Sequence, residues 1–302
     1  MAAEPYQKYL DPTVLNKVQH LELKAKQVVE GFISGMHKSP HKGFSVEFAE
    51  HREYVHGDDP RFIDWKAYSK SDKYYIKQYE EETNFRAYIV LDTSESMLYG
   101  SKGAVPKLEY ARYAAASMAH LIQKQSDAAG MALFDSNLYG FVEASTNHNK
   151  LLEMLALMYD HPPRGKTGVG VILKQLSERI KKRALVIVIS DLFDKPGAIR
   201  KGLDALRHRK HDVILLQVMD RQELDFSFDR LTLFKGLEDG GNLMVDPRSL
   251  RQAYLEEVES FNSAVRQAAL RTRSDYHLMD TSTPLEVALQ AYLAARSSIR
   301  AK

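Results

Sequence analysis

From position 85 onward the chain alternates short apolar runs with longer segments of helical periodicity, and few folds accept that pattern. The runs 87–91 (AYIVL), 132–134 within AGMALF, 185–189 (LVIVI), 213–218 (VILLQV) and 276–279 (YHLM) read as strands buried on both faces. Between them, 107–123, 150–158, 169–181 and 199–207 place apolar residues three and four apart, the spacing of a helix with one buried side. A strand that is apolar on both sides needs cover on both sides. The expected fold is therefore α/β: a Rossmann-like, mostly parallel sheet with helices on both faces. Segment 138–142 follows the second strand after only Asp135, Ser136 and Asn137, too few residues for a parallel crossover, so it is expected as an antiparallel neighbour at the sheet edge. Long helices at about 249–271 and 285–296 flank the last strand.

Two segments stand outside the alternation. Residues 1–84 begin with a helical stretch near 14–33 and then turn aromatic, with Phe44, Val46 and Phe48 on one face and Tyr74, Ile76 and Tyr79 following. They are expected to form a small N-terminal α+β extension with a few antiparallel strands, packed through Trp65. Residues at about 220–246 alternate around Glu238-Asp239-Gly240-Gly241 and read as an inserted β-hairpin. The expected organisation is an extension over 1–84 and a main domain over 85–302 that carries the hairpin.

Composition narrows the function classes. Of 302 residues, 42 are Lys or Arg and 40 are Asp or Glu; this near balance gives no support for a nucleic-acid partner. Cysteine is absent, which excludes disulfides, thiolate zinc sites and cysteine nucleophiles and fits a reducing compartment. The first residues hold Glu4, Lys8 and Asp11 and lack the apolar core of a secretory signal. The apolar runs fall far short of the roughly 20 residues that span a bilayer. A cytoplasmic protein without a membrane span is expected.

The chemistry gathers at strand ends. The first buried strand runs into Asp92-Thr93-Ser94-Glu95-Ser96, and ligands of open parallel sheets collect at the carboxyl ends of strands. A carboxylate and two hydroxyls at alternate positions of a tight loop suit a hard cation such as Mg²⁺, which takes oxygen ligands in an octahedron and keeps some of its waters. Thr167, in Arg164-Gly165-Lys166-Thr167-Gly168, precedes a helix, and Ser190-Asp191 ends the LVIVI strand, so both reach the same sheet edge. Asp92, Ser94, Ser96, Thr167 and Asp191 thus supply five oxygen ligands, directly or through water, and leave one position open. Each residue also has an ordinary use, since Asp, Ser and Thr cap helices and form turns.

This set resembles the metal-ion-dependent adhesion site of the von Willebrand factor A domain, whose pattern is D-x-S-x-S, then a Thr, then an Asp after a later strand. The resemblance covers roughly 86–300. Upstream, Tyr54-Val55-His56-Gly57-Asp58-Asp59-Pro60-Arg61-Phe62-Ile63-Asp64-Trp65-Lys66 and Tyr79-Glu80-Glu81-Glu82 resemble the signature of the bacterial "domain of unknown function 58" proteins, which join such a segment to an A domain. The resemblance implies a metal-dependent protein–protein interaction module or adaptor. Its Mg²⁺, or Mn²⁺, would accept a Glu or Asp from a protein partner, and a MoxR-type AAA+ ATPase is the implied co-worker.

Other features carry less. Gly165-Lys166-Thr167 ends like a phosphate-binding P-loop, but position 160 is Asp160 instead of glycine, and Pro162-Pro163 occupies the loop that should offer N–H groups. Asp58 and Asp59 are either a second cation site or a turn neutralised by Arg61 and Lys66, with the turn favoured. His37 and His41 have helical metal spacing, broken by Pro40. The basic runs 181–183 and 207–211 suit a helix C-terminus. The rival class is a Mg²⁺-dependent hydrolase or phosphotransferase using the same loops, with Glu95 or Asp135 as base; neither has a spacing that marks catalysis, so a non-enzyme is expected.

Overall fold

The computed structural model describes residues 46–55, 63–65, 68, 73–81, 85–237 and 241–289. These fall into two compact units, one lying before position 85 and one from Phe85 onward. The helix expected at 14–33, Phe44, the His37 and His41 pair, Asp58 and Asp59, the 238–240 turn and the segment after 289 lie outside the described residues.

In the smaller unit, β1 (Val46–Glu53) pairs antiparallel with β2 (Tyr75–Glu81), with a register shift between Phe48 and Glu50. Tyr68 stacks on Tyr74 at 4.5 Å between ring centroids, and Tyr54 meets Tyr74 edge-on. Trp65, expected as a packing residue, is 62% exposed and touches Tyr68 edge-on.

The larger unit begins with β3 (Arg86–Asp92), α1 (Lys107–Lys124), β4 (Ala128–Phe134) and β5 (Leu138–Ser145). It continues through α2 (His148–Asp160), α3 (Val169–Arg179), β6 (Leu185–Ser190), α4 (Pro196–His208) and β7 (Asp212–Met219). A short helix α5 (Arg221–Asp225), the hairpin strands β8 (Thr232–Lys235) and β9 (Asn242–Val245), α6 (Pro247–Arg271) and β10 (Asp275–Asp280) follow. The main sheet has the order β10-β7-β6-β3-β4-β5, and every neighbouring pair is parallel except β4 with β5. This is the expected α/β architecture, with the antiparallel strand at the edge. The inserted hairpin is narrower than the 220–246 segment, because its first residues form α5 under a capping box made by Asp220 and Glu223.

Burial follows position in the sheet. All of β4 and β6 and nearly all of β3 and β7 are buried, whereas the edge strand β5 alternates between buried and accessible positions. Val90, Val188 and Leu215 from the sheet meet Leu173, Leu176, Leu203 and Leu206 from α3 and α4 in one apolar cluster. Those two helices approach through glycines. A Cβ added to Gly170 would lie 2.6 Å from the Ala198 carbonyl, and one on Gly202 would lie 2.7 Å from the Leu173 Cβ.

Chain direction locates the functional end of the sheet. The strand after β3 joins on one side, while β6 joins β3 on the other and leads on to β7. Connections therefore depart in opposite directions from β3 and β6, and the crevice between their carboxyl ends is the topological switch point where ligands of open α/β sheets bind.

The glycine contact yields a test. Ala is the better helix former by about 1 kcal/mol, yet overpacking a rigid backbone costs about 1–3 kcal/mol. Gly170→Ala should lower the stability by about 1–2 kcal/mol in chemical denaturation, and a gain in stability would show that α3 and α4 can part at little cost.

Candidate metal centre

Asp92 is the last residue of β3 and Ser190 the last of β6; both are fully buried. The ladder aligns Leu91 with Ile189, which sets the following residues side by side, and Ser190 Oγ donates to Asp92 Oδ2. Asp92 Oδ1 accepts the Ser94 amide at 2.9 Å. The chain then turns into a 3₁₀ segment, Glu95–Leu98, that carries Ser96 inward.

Thr167 comes from far along the chain and is brought in by backbone stitching. The Glu95 amide donates to the Gly165 carbonyl at 3.1 Å, the Arg164 amide to the Thr93 carbonyl at 3.2 Å, and the Gly168 amide to the Asp135 carbonyl at 3.2 Å. Gly165 has a φ of 72°, a left-handed conformation that glycine adopts freely and that costs other residues about 1–2 kcal/mol. The result is a triangle of hydroxyls. Thr167 Oγ1 donates to Ser94 Oγ at 2.7 Å, Ser94 Oγ and Ser96 Oγ are 3.1 Å apart, and Ser96 Oγ and Thr167 Oγ1 are 3.3 Å apart.

Those separations fit an oxygen-seeking ion. Ligands at right angles about 2.1 Å from Mg²⁺ lie about 3.0 Å from one another, so the three hydroxyls have the spacing of one octahedral face. Among the described residues, no group of three or more His, Asp or Glu side chains is placed to hold a metal, so a cation here would rest on hydroxyl oxygens backed by carboxylates.

The carboxylates stand in an unfavourable medium. Burial pushes the Asp92 carboxyl well above the usual carboxylate range, the charge of Asp191 acts in the same direction, and hydrogen bonds from Ser190 and Ser94 oppose them. Asp191 is also wholly buried, and both of its oxygens are engaged: Oδ1 by the Phe193 amide at 3.2 Å and Oδ2 by Lys107 Nζ at 2.9 Å. Leu192, between Asp191 and Phe193, takes a left-handed φ of 62° and donates its amide to Ser190 Oγ. The structure thus gathers Ser94, Ser96 and Thr167 into direct mutual contact. It places Asp92 beneath them on Ser94 and Ser190, and it binds Asp191 to a lysine.

That lysine is the residue the sequence reading missed. Lys107 opens α1 and has no exposed surface; its Nζ also donates to Glu223 Oε1 at 2.8 Å. Burial disfavours its ammonium, but the Asp191 and Glu223 charges outweigh this and hold the amine above its ordinary range. For Glu223 burial is the larger influence and pushes the carboxyl up, against the pull of Lys107. One sequence signal was available, since a lysine in the first turn opposes the helix dipole and so asks for a specific partner. Of the residues weighed as a catalytic base, Glu95 is half-buried, and Asp135 is buried with Oδ1 accepting the Asn137 amide in a local turn.

Comparison with known proteins places the chain. The family model described as protein of unknown function DUF58 matches residues 50–263. Uncharacterized proteins of Mycobacterium tuberculosis and Mycobacterium bovis are each 26% identical over 218 residues, covering 71% of this chain and 68% of theirs. Among solved structures, the conserved hypothetical protein BatB from Bacteroides thetaiotaomicron is 15% identical with a TM-score of 0.46, over 71% of this chain and 99% of that one. An aerotolerance-related membrane protein from Bacteroides fragilis has 15% identity and a TM-score of 0.48, over 70% and 99%. The VWA domain of SpRpn10 has 14% identity and a TM-score of 0.38, over 68% and 92%. With one family model covering most of its length, the chain belongs to the DUF58 family.

Proposed function

We propose that this chain is a metal-dependent protein-binding module whose centre is the hydroxyl triangle at the β3–β6 switch point. One observation carries the reading: Ser94, Ser96 and Thr167 hold their oxygens at 2.7–3.3 Å from one another. Hydroxyls packed this way could have pointed to solvent or capped their own turns. Their convergence beside two buried acids is what an oxygen-coordinated divalent cation requires.

Under this reading Ser94, Ser96 and Thr167 hold Mg²⁺, or Mn²⁺, through their hydroxyls, and Asp92 and Asp191 balance its charge. The ion supplies an electrophilic seat for an anionic oxygen. The oxygens in contact with the ion are neutral, and both acids are already bonded, Asp92 to Ser190 and the Ser94 amide and Asp191 to Lys107 and the Phe193 amide, so a Glu or Asp side chain of a protein partner gains by completing the shell in a poorly hydrated setting. No helix among the described residues is long and apolar enough to cross a membrane. The reading extends to an adaptor working with a MoxR-type AAA+ ATPase in the cytoplasm, on the strength of the family resemblance.

Metal addition tests the centre itself. If the affinity is near millimolar, about 10 mM Mg²⁺ should stabilise the protein by roughly 1.4 kcal/mol. Asp92→Asn keeps the size and the acceptor for Ser94 while removing the charge, so its melting curve should not respond to the metal. A calorimetric response equal to that of the wild type would remove Asp92 from the centre.

Partner capture tests the function. Protein retained from a cell extract on the immobilised chain in Mg²⁺ should be released by chelator, and retention should fall with Thr167→Val and Ser96→Ala. Ca²⁺ should support it poorly, because its longer bonds and higher coordination number do not suit so compact an oxygen triangle. Retention that persists in chelator would place the binding surface elsewhere.

A further inference from the structure

Lys107 heads the largest fully buried side chains of the described residues. A lysine is almost never fully buried unless it is paired, and here the pairing is specific. Its Nζ lies 2.9 Å from Asp191 Oδ2 and 2.8 Å from Glu223 Oε1, and 4.8 Å from the centroid of the Phe193 ring. The ammonium therefore joins the first turn of α1, the carboxyl end of β6 and helix α5. Ordinary helix-end electrostatics do not place it there, because the N-terminus of α1 repels a cation. Asp191 and Glu223 hold it in place, and Asp191 belongs to the candidate metal centre.

We propose that Lys107 is the charge-setting residue of that centre: an internal ammonium that cancels part of the Asp191 charge, weakening the hold on the divalent ion and leaving more of the ion's charge for the partner's carboxylate. This rests on the proposed metal reading. Two bare buried acids beside the hydroxyl triangle would bind a cation tightly and leave it little attraction for another anion. With Lys107 on Asp191, the negative potential at the triangle is lower by one nearby charge. Glu223 shares the ammonium and so tempers its effect. Its other oxygen, Oε2, accepts the Asp220 amide that starts α5, which fixes how closely the carboxylate can approach. Lys107 and Glu223 then act on the ion in opposite senses without either touching it.

Opposite senses make the test decisive. Mn²⁺ titrated into the full chain, followed by loss of the free-ion electron paramagnetic resonance signal, reads the metal affinity. Lys107→Met should bind Mn²⁺ on the order of tenfold more tightly than wild type. Glu223→Gln should bind it severalfold more weakly, since the ammonium then acts on Asp191 undivided. Acetate titrated into the Mn²⁺-loaded proteins, read by water-proton relaxation, should reverse the order: weaker on Lys107→Met, tighter on Glu223→Gln. Simple damage to the fold lowers Mn²⁺ affinity in both variants and cannot give this pattern. Should Lys107→Met fail to fold, Glu223→Gln decides by its two readings together: Mn²⁺ affinity at or above wild type, or acetate affinity at or below it, overturns the role. Wild type that binds Mn²⁺ with variants in any other order overturns the inference and leaves the metal reading standing. Wild type that binds no Mn²⁺ overturns both.

Discussion

The four central strands of the main sheet offer a polar side chain no free water. β3, β4, β6 and β7 are covered on both sides, so a polar group within them needs a built partner, as the Tyr88 hydroxyl finds in Glu143 and Gln217 finds in Asn262 and Tyr276. Asp92 and Ser190 stand where their strands end, and the register makes them neighbours. With Leu91 opposite Ile189, Asp92 and Ser190 emerge together, and the hydrogen bond between them follows from the ladder. A slip of one residue would turn the side chains of a strand to the opposite face and part this pair, so packing of the core and geometry of the site are the same constraint.

The second tier of the structure is the handling of charge without water. Asp92, Asp191 and Lys107 have no exposed surface, and each would be costly alone. The chain answers with short local bonds. Ser190 and the Ser94 amide serve Asp92, the Phe193 amide and Lys107 serve Asp191, and the α5 carboxylate of Glu223 serves Lys107. Breaking a buried pair by removing one member costs about 3–5 kcal/mol, whereas the intact pair adds little net stability. Such a network constrains geometry more than it stabilises. It also attaches α5, the first element of the inserted segment, to the end of β6.

Much of the fold was legible because its signals are local. AYIVL and LVIVI announce doubly buried strands, and the three residues between β4 and β5 leave no room for a crossover. Asp92, Ser94, Ser96 and Asp191 could be singled out as candidates for the same reason, as they follow runs whose direction was plain, and Thr167 because it precedes a helix. The closeness of Ser94, Ser96 and Thr167 follows from stitching between two loops, and their residue types alone do not encode that. Lys107 escaped because its environment is assembled from β6 and α5, both far away in sequence, while its neighbours on α1 resemble an ordinary amphipathic helix. Helix α5 was absorbed into the hairpin reading, because five residues are too few to show a period.

The span between Ser96 and Thr167 has a consequence in time as well as in space. These hydroxyls meet across 71 positions of chain, and β4, β5 and α2 lie between them. Contacts so distant in sequence close late, after nearby pairings have repaid the entropy of the loop. The triangle can therefore form only after the chain between its two loops has closed, the same condition that pairs β3 with β6. A cation bound only to the closed form would add to native stability by an amount that grows with its affinity.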